Sequence, residues 1–235
     1  MESEMVYWRH PSVAGIKIEE ITEGFGIPEK IWIEMARQLY CENGRDIYRE
    51  IGHFSNGAPF LYGETSRISI SHCKGLFIVA TLPSTPEVNL ADYSDRAALG
   101  IDAERADRKQ VIRLREKFLS QEEMEGIAEE DVESNILAWT IKEAAYKAAL
   151  TPGIEFASQI KIHRMPKFVS PTPVFAPAEY DLPKDTATFP PEYFGQVEVV
   201  RYDGTSVHFM VMSYKSEDFI VTLAYSQRSA KFGKL

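Results

Sequence analysis

Hydrophobic and polar positions follow two rhythms along this chain. In residues 29–42 (EKIWIEMARQLYCE), Ile31, Trp32, Met35 and Leu39 recur at helical spacing behind Pro28, which predicts an amphipathic helix stopped by Asn43-Gly44. Shorter β-like pieces follow at Ile47–Phe54, Arg67–Ser71 and Gly75–Leu82, separated by Asn56-Gly57-Ala58-Pro59 and Cys73-Lys74. Pro83–Asp95 is polar and Pro-bearing and reads as a long loop. Ala98–Glu104 (ALGIDAE) reads as a strand, and Arg105–Phe118 as a helix dominated by basic residues. The run ILAWTIKEAAYKAAL predicts a second helix, capped by Ser134-Asn135 and ended at Thr151-Pro152-Gly153. After a Pro-rich connection from Pro166 to Pro191, alternating stretches remain at Tyr193–Tyr202, Ser206–Tyr214 and Phe219–Tyr225, with Asp203-Gly204 as a hairpin signal. This order favours a mixed α/β chain of two comparable halves.

Charge narrows the choice of partner. The chain has 235 residues, with 26 Lys and Arg against 35 Asp and Glu, a net charge of −9. A protein that coats nucleic acid needs a basic surface, because phosphate neutralisation supplies most of its affinity, so no nucleic-acid partner is expected. The 44% hydrophobic content supports a buried core. The longest nearly apolar run, Gly75–Leu82, falls far short of the ~20 residues that span a bilayer, so no membrane partner is expected either. MESEMVYWRH lacks a basic region followed by an apolar stretch, and Cys41 and Cys73 show no disulfide or zinc spacing. A cytoplasmic location is the expectation that follows.

Several enzyme signatures are absent. There is no GxxxxGK[ST], no HExxH and no GxSxG, and Gly24-Phe25-Gly26 continues as Ile27-Pro28-Glu29, which breaks a GxGxxG. Ser71 and His72 are neighbours in a strand, point to opposite faces, and cannot serve each other as nucleophile and base. Two segments carry more. In Gly100-Ile101-Asp102-Ala103-Glu104, alternation puts Asp102 and Glu104 on one face, either as a pair of hard oxygen ligands suited to Mg²⁺ or as a solvated strand end. In Trp139-Thr140-Ile141-Lys142-Glu143-Ala144-Ala145-Tyr146-Lys147, Glu143 and Lys147 share a helix face, either addressing one ligand or forming an ordinary i,i+4 pair.

Taken together, GIDAE followed by WTIKEAAYKA resembles the two hallmark motifs of the 4′-phosphopantetheinyl transferase superfamily. Ile68-Ser69-Ile70-Ser71-His72 is similar to that family's (N/S)(I/L)SH segment, and Gly57-Ala58-Pro59-Phe60-Leu61 to its G(K/R)P segment. Lys117-Phe118-Leu119-Ser120-Gln121-Glu122-Glu123 resembles the (R/K)FFxxxE stretch between the hallmarks. The ordered series spans residues 57–147, and the length resembles the monomeric, two-lobed, surfactin-synthetase-activating type.

The resemblance implies transfer of the phosphopantetheine arm of coenzyme A to a serine of an apo carrier protein, with release of adenosine 3′,5′-bisphosphate. It implies an α+β fold of two similar lobes in pseudo-twofold relation, each a small antiparallel sheet packed by helices. Residues 1–97 would form the N-terminal lobe and 98–235 the C-terminal lobe, with the active site at their junction. Carried over by position, Asp102, Glu104 and Glu143 would ligate Mg²⁺. Glu143 would act as base toward the carrier serine, and Lys147 would stabilise the departing bisphosphate. His72, with Ser71 beside it, would contact the 3′-phosphate of coenzyme A, and Lys142 would lie near the phosphates. Ala58 stands where many relatives carry a base, with Arg37 as a substitute. Cys73 replaces a frequent Ser, and the long interval between His72 and Asp102 suggests an insertion near residues 83–97.

Residues 105–117 hold Arg105, Arg108, Lys109, Arg113, Arg115 and Lys117 against Asp107 and Glu116. This strip is either a docking surface for an acidic carrier, centred on Arg105, Arg108, Lys109 and Arg113, or a solvated helix face. Two other functional classes remain open at this point: a paralogue that binds coenzyme A or a carrier without transfer, and a metal-dependent phosphoesterase.

Overall fold

The computed structural model describes residues 5–9, 16–22, 29–42, 50–64, 66–82, 98–168, 176–177 and 191–226. Two five-stranded antiparallel sheets organise them. The first runs β5-β6-β2-β1-β9, built from β1 (Met5–Arg9), β2 (Lys17–Thr22), β5 (Arg67–Cys73), β6 (Leu76–Leu82) and β9 (Ala176–Pro177). The second runs β7-β12-β11-β10-β8, from β7 (Leu99–Arg105), β8 (Ile160–Arg164), β10 (Gly195–Val200), β11 (Ser206–Lys215) and β12 (Phe219–Ser226). A separate hairpin pairs β3 (Ile51–His53) with β4 (Pro59–Leu61).

Side-chain alternation explains how these sheets stack. In β6, Leu76, Ile78, Ala80 and Leu82 pack with Leu99, Ile101 and Ala103 of β7 and with Val221, Leu223 and Tyr225 of β12 in one shared core. The opposite parity of β6, Phe77 and Val79, packs with Ala36, Tyr40 and Cys41 of helix α1 (Glu29–Glu42). On the far face of the second sheet, Ile220 and Ala224 pack with the apolar face of α4 (Val132–Ala149). Both parities of β6 and β12 are therefore buried, and that is why these segments read as continuous apolar runs.

The antiparallel sheets and sparse helices agree with an α+β fold. β9, from beyond residue 98, pairs with β1, and the central core draws side chains from both halves. A pseudo-twofold relation is not evident from these elements. The expected 83–97 insertion lies outside the described residues. Among the described residues no helix is long and apolar enough to cross a membrane.

Local chemistry moved three boundaries. The basic helix expected over Arg105–Phe118 is instead the end of β7, a 3-10 turn over Lys109–Leu114 and the short α2 (Arg115–Phe118). The 3-10 turn has neither a side-chain cap nor an acidic first turn, so the usual start signals of a longer helix are missing there. Helix α4 starts earlier than expected, with Asp131 rather than Ser134-Asn135 accepting the capping bond, from the Ser134 N–H at 3.0 Å. The Asp203-Gly204 hairpin is present, but its turn occupies residues 201–205, closed by Arg201 N–H to Thr205 O at 2.8 Å. Gly100 has a packing role: a Cβ there would lie 1.9 Å from the Ala144 carbonyl oxygen, so only glycine lets β7 approach α4 this closely.

Candidate active site

Each sheet presents an edge strand at the junction, β5 from the first and β7 from the second. Ser69 Oγ accepts from the Ile101 N–H at 2.9 Å, and Ser71 Oγ accepts from the Ala103 N–H at 3.2 Å. Ser71 Oγ also donates to Asp102 Oδ1 at 2.9 Å.

Asp102 is the centre of the site. It is buried, and its Oδ1 also accepts from Lys147 Nζ at 2.7 Å, while Lys147 donates to the Ile101 carbonyl at 3.0 Å. Its Oδ2 is buried with no hydrogen-bond partner. An orphaned carboxylate oxygen is costly to bury, which points to a ligand. Glu143, one helical turn before Lys147, has its carboxyl pushed up to about 7, first by burial and then by the charge of Asp102, against the pull of Lys147 and Arg108. It is therefore poised between charged and neutral near neutral pH.

Glu104 behaves differently. Its Oε1 accepts from the Arg108 guanidinium and from Trp139 Nε1 at 3.1 Å, and Arg108 also lies over the Trp139 ring, 5.6 Å from its centroid. Among the described residues no three His, Cys, Asp or Glu side chains form a group that could hold a metal ion. The expected triad of Asp102, Glu104 and Glu143 is thus not assembled as a cage. What is present, two carboxylates in one electrostatic neighbourhood and one unpartnered oxygen, suits a hard cation that takes one or two carboxylates and completes its shell with water and phosphate oxygens.

Beside this cluster a cleft of about 510 Å³ runs between the halves, lined among others by Arg37, His53, His72, Tyr146, Lys147 and Thr151. Of the residues expected to meet coenzyme A, Arg37, His72 and Lys147 line it. Arg37 also donates to the Ile51 carbonyl at 3.3 Å. Ala58 lines it too, in a turn braced by Asn56, whose Nδ2 donates to the Leu150 carbonyl just beyond α4 at 3.3 Å.

Two residues expected to meet ligand stand outside the cleft lining. Ser71 does not line the cleft; it faces Asp102, because alternation along β5 sends it to the junction while His72 faces the cleft. Lys142 is fully buried on another side of α4. Its Nζ donates to Glu123 Oε2 at 2.6 Å, to the Ile160 carbonyl at 2.6 Å and to the Phe156 carbonyl at 3.1 Å. Five positions separate Lys142 from Lys147, far enough around the helix to part their ammonium groups. His53 escaped the sequence reading: no motif marks it, and only the β3–β4 pairing carries it to the cleft wall.

The basic strip is less free than its composition suggests. Arg105 pairs with Asp107 and Asp218 at 3.2 Å each, Arg108 pairs with Glu104, and Arg115 is buried against the Met124 and Ile127 carbonyls. Lys109, Arg113 and Lys117 are exposed.

A family model described as the 4′-phosphopantetheinyl transferase superfamily matches residues 98–192. The match takes in Asp102, Glu104, Glu143 and Lys147 and leaves Ser71 and His72 outside it. The class so described is one of phosphopantetheinyl transferases. No curated protein matches the chain.

Proposed function

We propose that this protein is a member of the 4′-phosphopantetheinyl transferase superfamily. It moves the phosphopantetheine group of coenzyme A to a serine of an apo acyl or peptidyl carrier protein, releasing adenosine 3′,5′-bisphosphate. The observation that carries this reading is the pairing of Asp102 with Lys147, which lines a cleft between the halves, with Glu143 in the same electrostatic neighbourhood and all three inside the matched segment.

The residues divide the work. Arg37, His53 and His72 offer donors to the anionic end of coenzyme A from one wall, and Lys147 faces its phosphates from the other. Glu143, in the same electrostatic neighbourhood as Asp102 and Lys147, accepts the proton of the carrier serine. Lys147 offsets charge on the leaving phosphate. Asp102 and Glu143 would hold a divalent cation of the magnesium type, with Glu104 joining only after release from Arg108. When bound, that ion would neutralise charge on the pyrophosphate. The carrier would approach across Lys109 and Arg113, the exposed part of the basic strip, with Arg105 and Arg108 at its inner edge.

The test is to incubate the protein with coenzyme A, Mg²⁺ and a panel of apo carrier proteins and to weigh the carriers. A gain of the phosphopantetheine mass is expected. Cleavage of coenzyme A without that gain would mark a phosphoesterase, and binding without either change a non-catalytic paralogue.

A further inference from the structure

Two edge strands from different sheets lie side by side at the junction, and no ladder joins them. Serine side chains take the ladder's place. Ser69 and Ser71 stand two apart on one face of β5, and the Ile101 and Ala103 N–H groups stand two apart along β7, so the shared period brings each hydroxyl to one donor. The two bonds are not equivalent. Ser71 also delivers its own proton to Asp102 Oδ1, which accepts a second bond from Lys147, while Oδ2 accepts none.

We infer that Ser71 is a positioning residue: it clamps β7 to the first sheet and, with Lys147, saturates Asp102 Oδ1 so that Oδ2 is the oxygen presented to a bound cation. This rests on the proposed transferase reading and deepens it. Ser71 is not part of the cleft lining. It acts through Asp102, as outer partners of metal-binding carboxylates do, where their loss commonly costs 10- to 100-fold in metal affinity or activity.

The test compares Ser71→Ala, Ser71→Thr and Ser69→Ala by Mn²⁺ binding in the presence of coenzyme A, followed by electron paramagnetic resonance of the free ion. Carrier labelling kinetics and melting temperature are measured alongside. Ser71→Ala should weaken Mn²⁺ binding about tenfold and lower kcat similarly, with the KM for coenzyme A unchanged. Ser71→Thr, which keeps the hydroxyl, should restore most of both. Ser69→Ala, which removes a junction bond without touching Asp102, should melt lower than the parent yet bind Mn²⁺ within about twofold of it. Equal Mn²⁺ affinity in Ser71→Ala and Ser69→Ala, or a parent protein that binds no Mn²⁺, overturns the inference. The predicted Mn²⁺ differences across the variants, with a parent that labels no carrier, would overturn the transferase reading and leave the positioning role standing.

Discussion

Helix α4 carries two lysines with opposite fates. On one side Lys142 is sealed in the core, its three donors satisfied by Glu123 and the Phe156 and Ile160 carbonyls. Glu123 is satisfied in turn: it accepts from the Ser120 N–H at 2.7 Å in the capping box of α3 (Gln121–Gly126) and from the Ile162 N–H at 2.9 Å. Burial pulls the Lys142 ammonium down from its ordinary range, and the Glu123 carboxylate opposes that shift. On the other side, Lys147 is partly exposed, Asp102 keeps one oxygen unpartnered, and Glu143 sits near neutrality. The same pair of residue types is closed and structural in one place, open and chemical in the other. Unspent bonding capacity in a buried carboxylate, rather than the presence of charge, separates the two.

Breaking the open side should have the largest effect. Glu143→Gln should cut carrier labelling by about 10³-fold, read as labelling rate per folded molecule, because it removes the base. With divalent ions chelated, the same variant should be more stable than the parent at pH 8. Glu143 binds its proton more tightly in the folded state, so its contribution to stability is present at acid pH and lost as pH rises through about 7. A Gln variant that melts lower at pH 8 would contradict the burial argument.

Breaking the closed side should act on stability and spare chemistry. Lys142→Ala leaves a buried carboxylate without its cation and should cost about 3 kcal/mol in denaturant unfolding, with labelling per folded molecule near the parent value. A selective loss of coenzyme A affinity there would restore Lys142 to the phosphate site.

A third carboxyl sharpens the rule. Glu20 receives the Tyr214 hydroxyl across the two sheets, and burial pushes it up to about 7. Because its folded pKa is raised above the ordinary 4.5, its stabilisation is full below that value and disappears as pH passes 7. Glu20→Gln should therefore raise stability at pH 8 by about 3 kcal/mol and change little at pH 4, seen as melting curves that converge on acidification. The smallest effect belongs to the surface: Arg113→Glu with Lys109→Glu should raise the KM for carrier roughly fivefold and leave that for coenzyme A alone. Arg108 is a poor choice for that experiment, since its reversal would also free Glu104.

The open side was more legible in the sequence than the closed one. Glu143 and Lys147 share a helix face by local period, but their meeting with Asp102, 45 residues before Lys147, was legible through the resemblance of the two motifs rather than through local geometry. The surroundings of Lys142 were not legible because no motif marks its partners, Glu123 and the α5–β8 carbonyls (α5, Phe156–Gln159), as neighbours of that side of α4. The place of Ser71 at the junction was hidden because the sequence shows alternation but not which face meets β7. β1 and β2 went unread, since KIEEIT buries Glu19 along with Ile18 and Ile21 and so hides the usual polar alternation. The central layer was legible only as unusually apolar runs, whose two buried faces belong to different neighbours.

The account is tested most directly by intact-mass analysis of an apo carrier after reaction with coenzyme A and Mg²⁺, using the parent, Asp102→Asn and Lys142→Ala at equal folded concentration. Labelling by the parent and by Lys142→Ala, with almost none by Asp102→Asn, is the predicted result. Parent-like labelling by Asp102→Asn, or no labelling by the parent with any carrier, would contradict it.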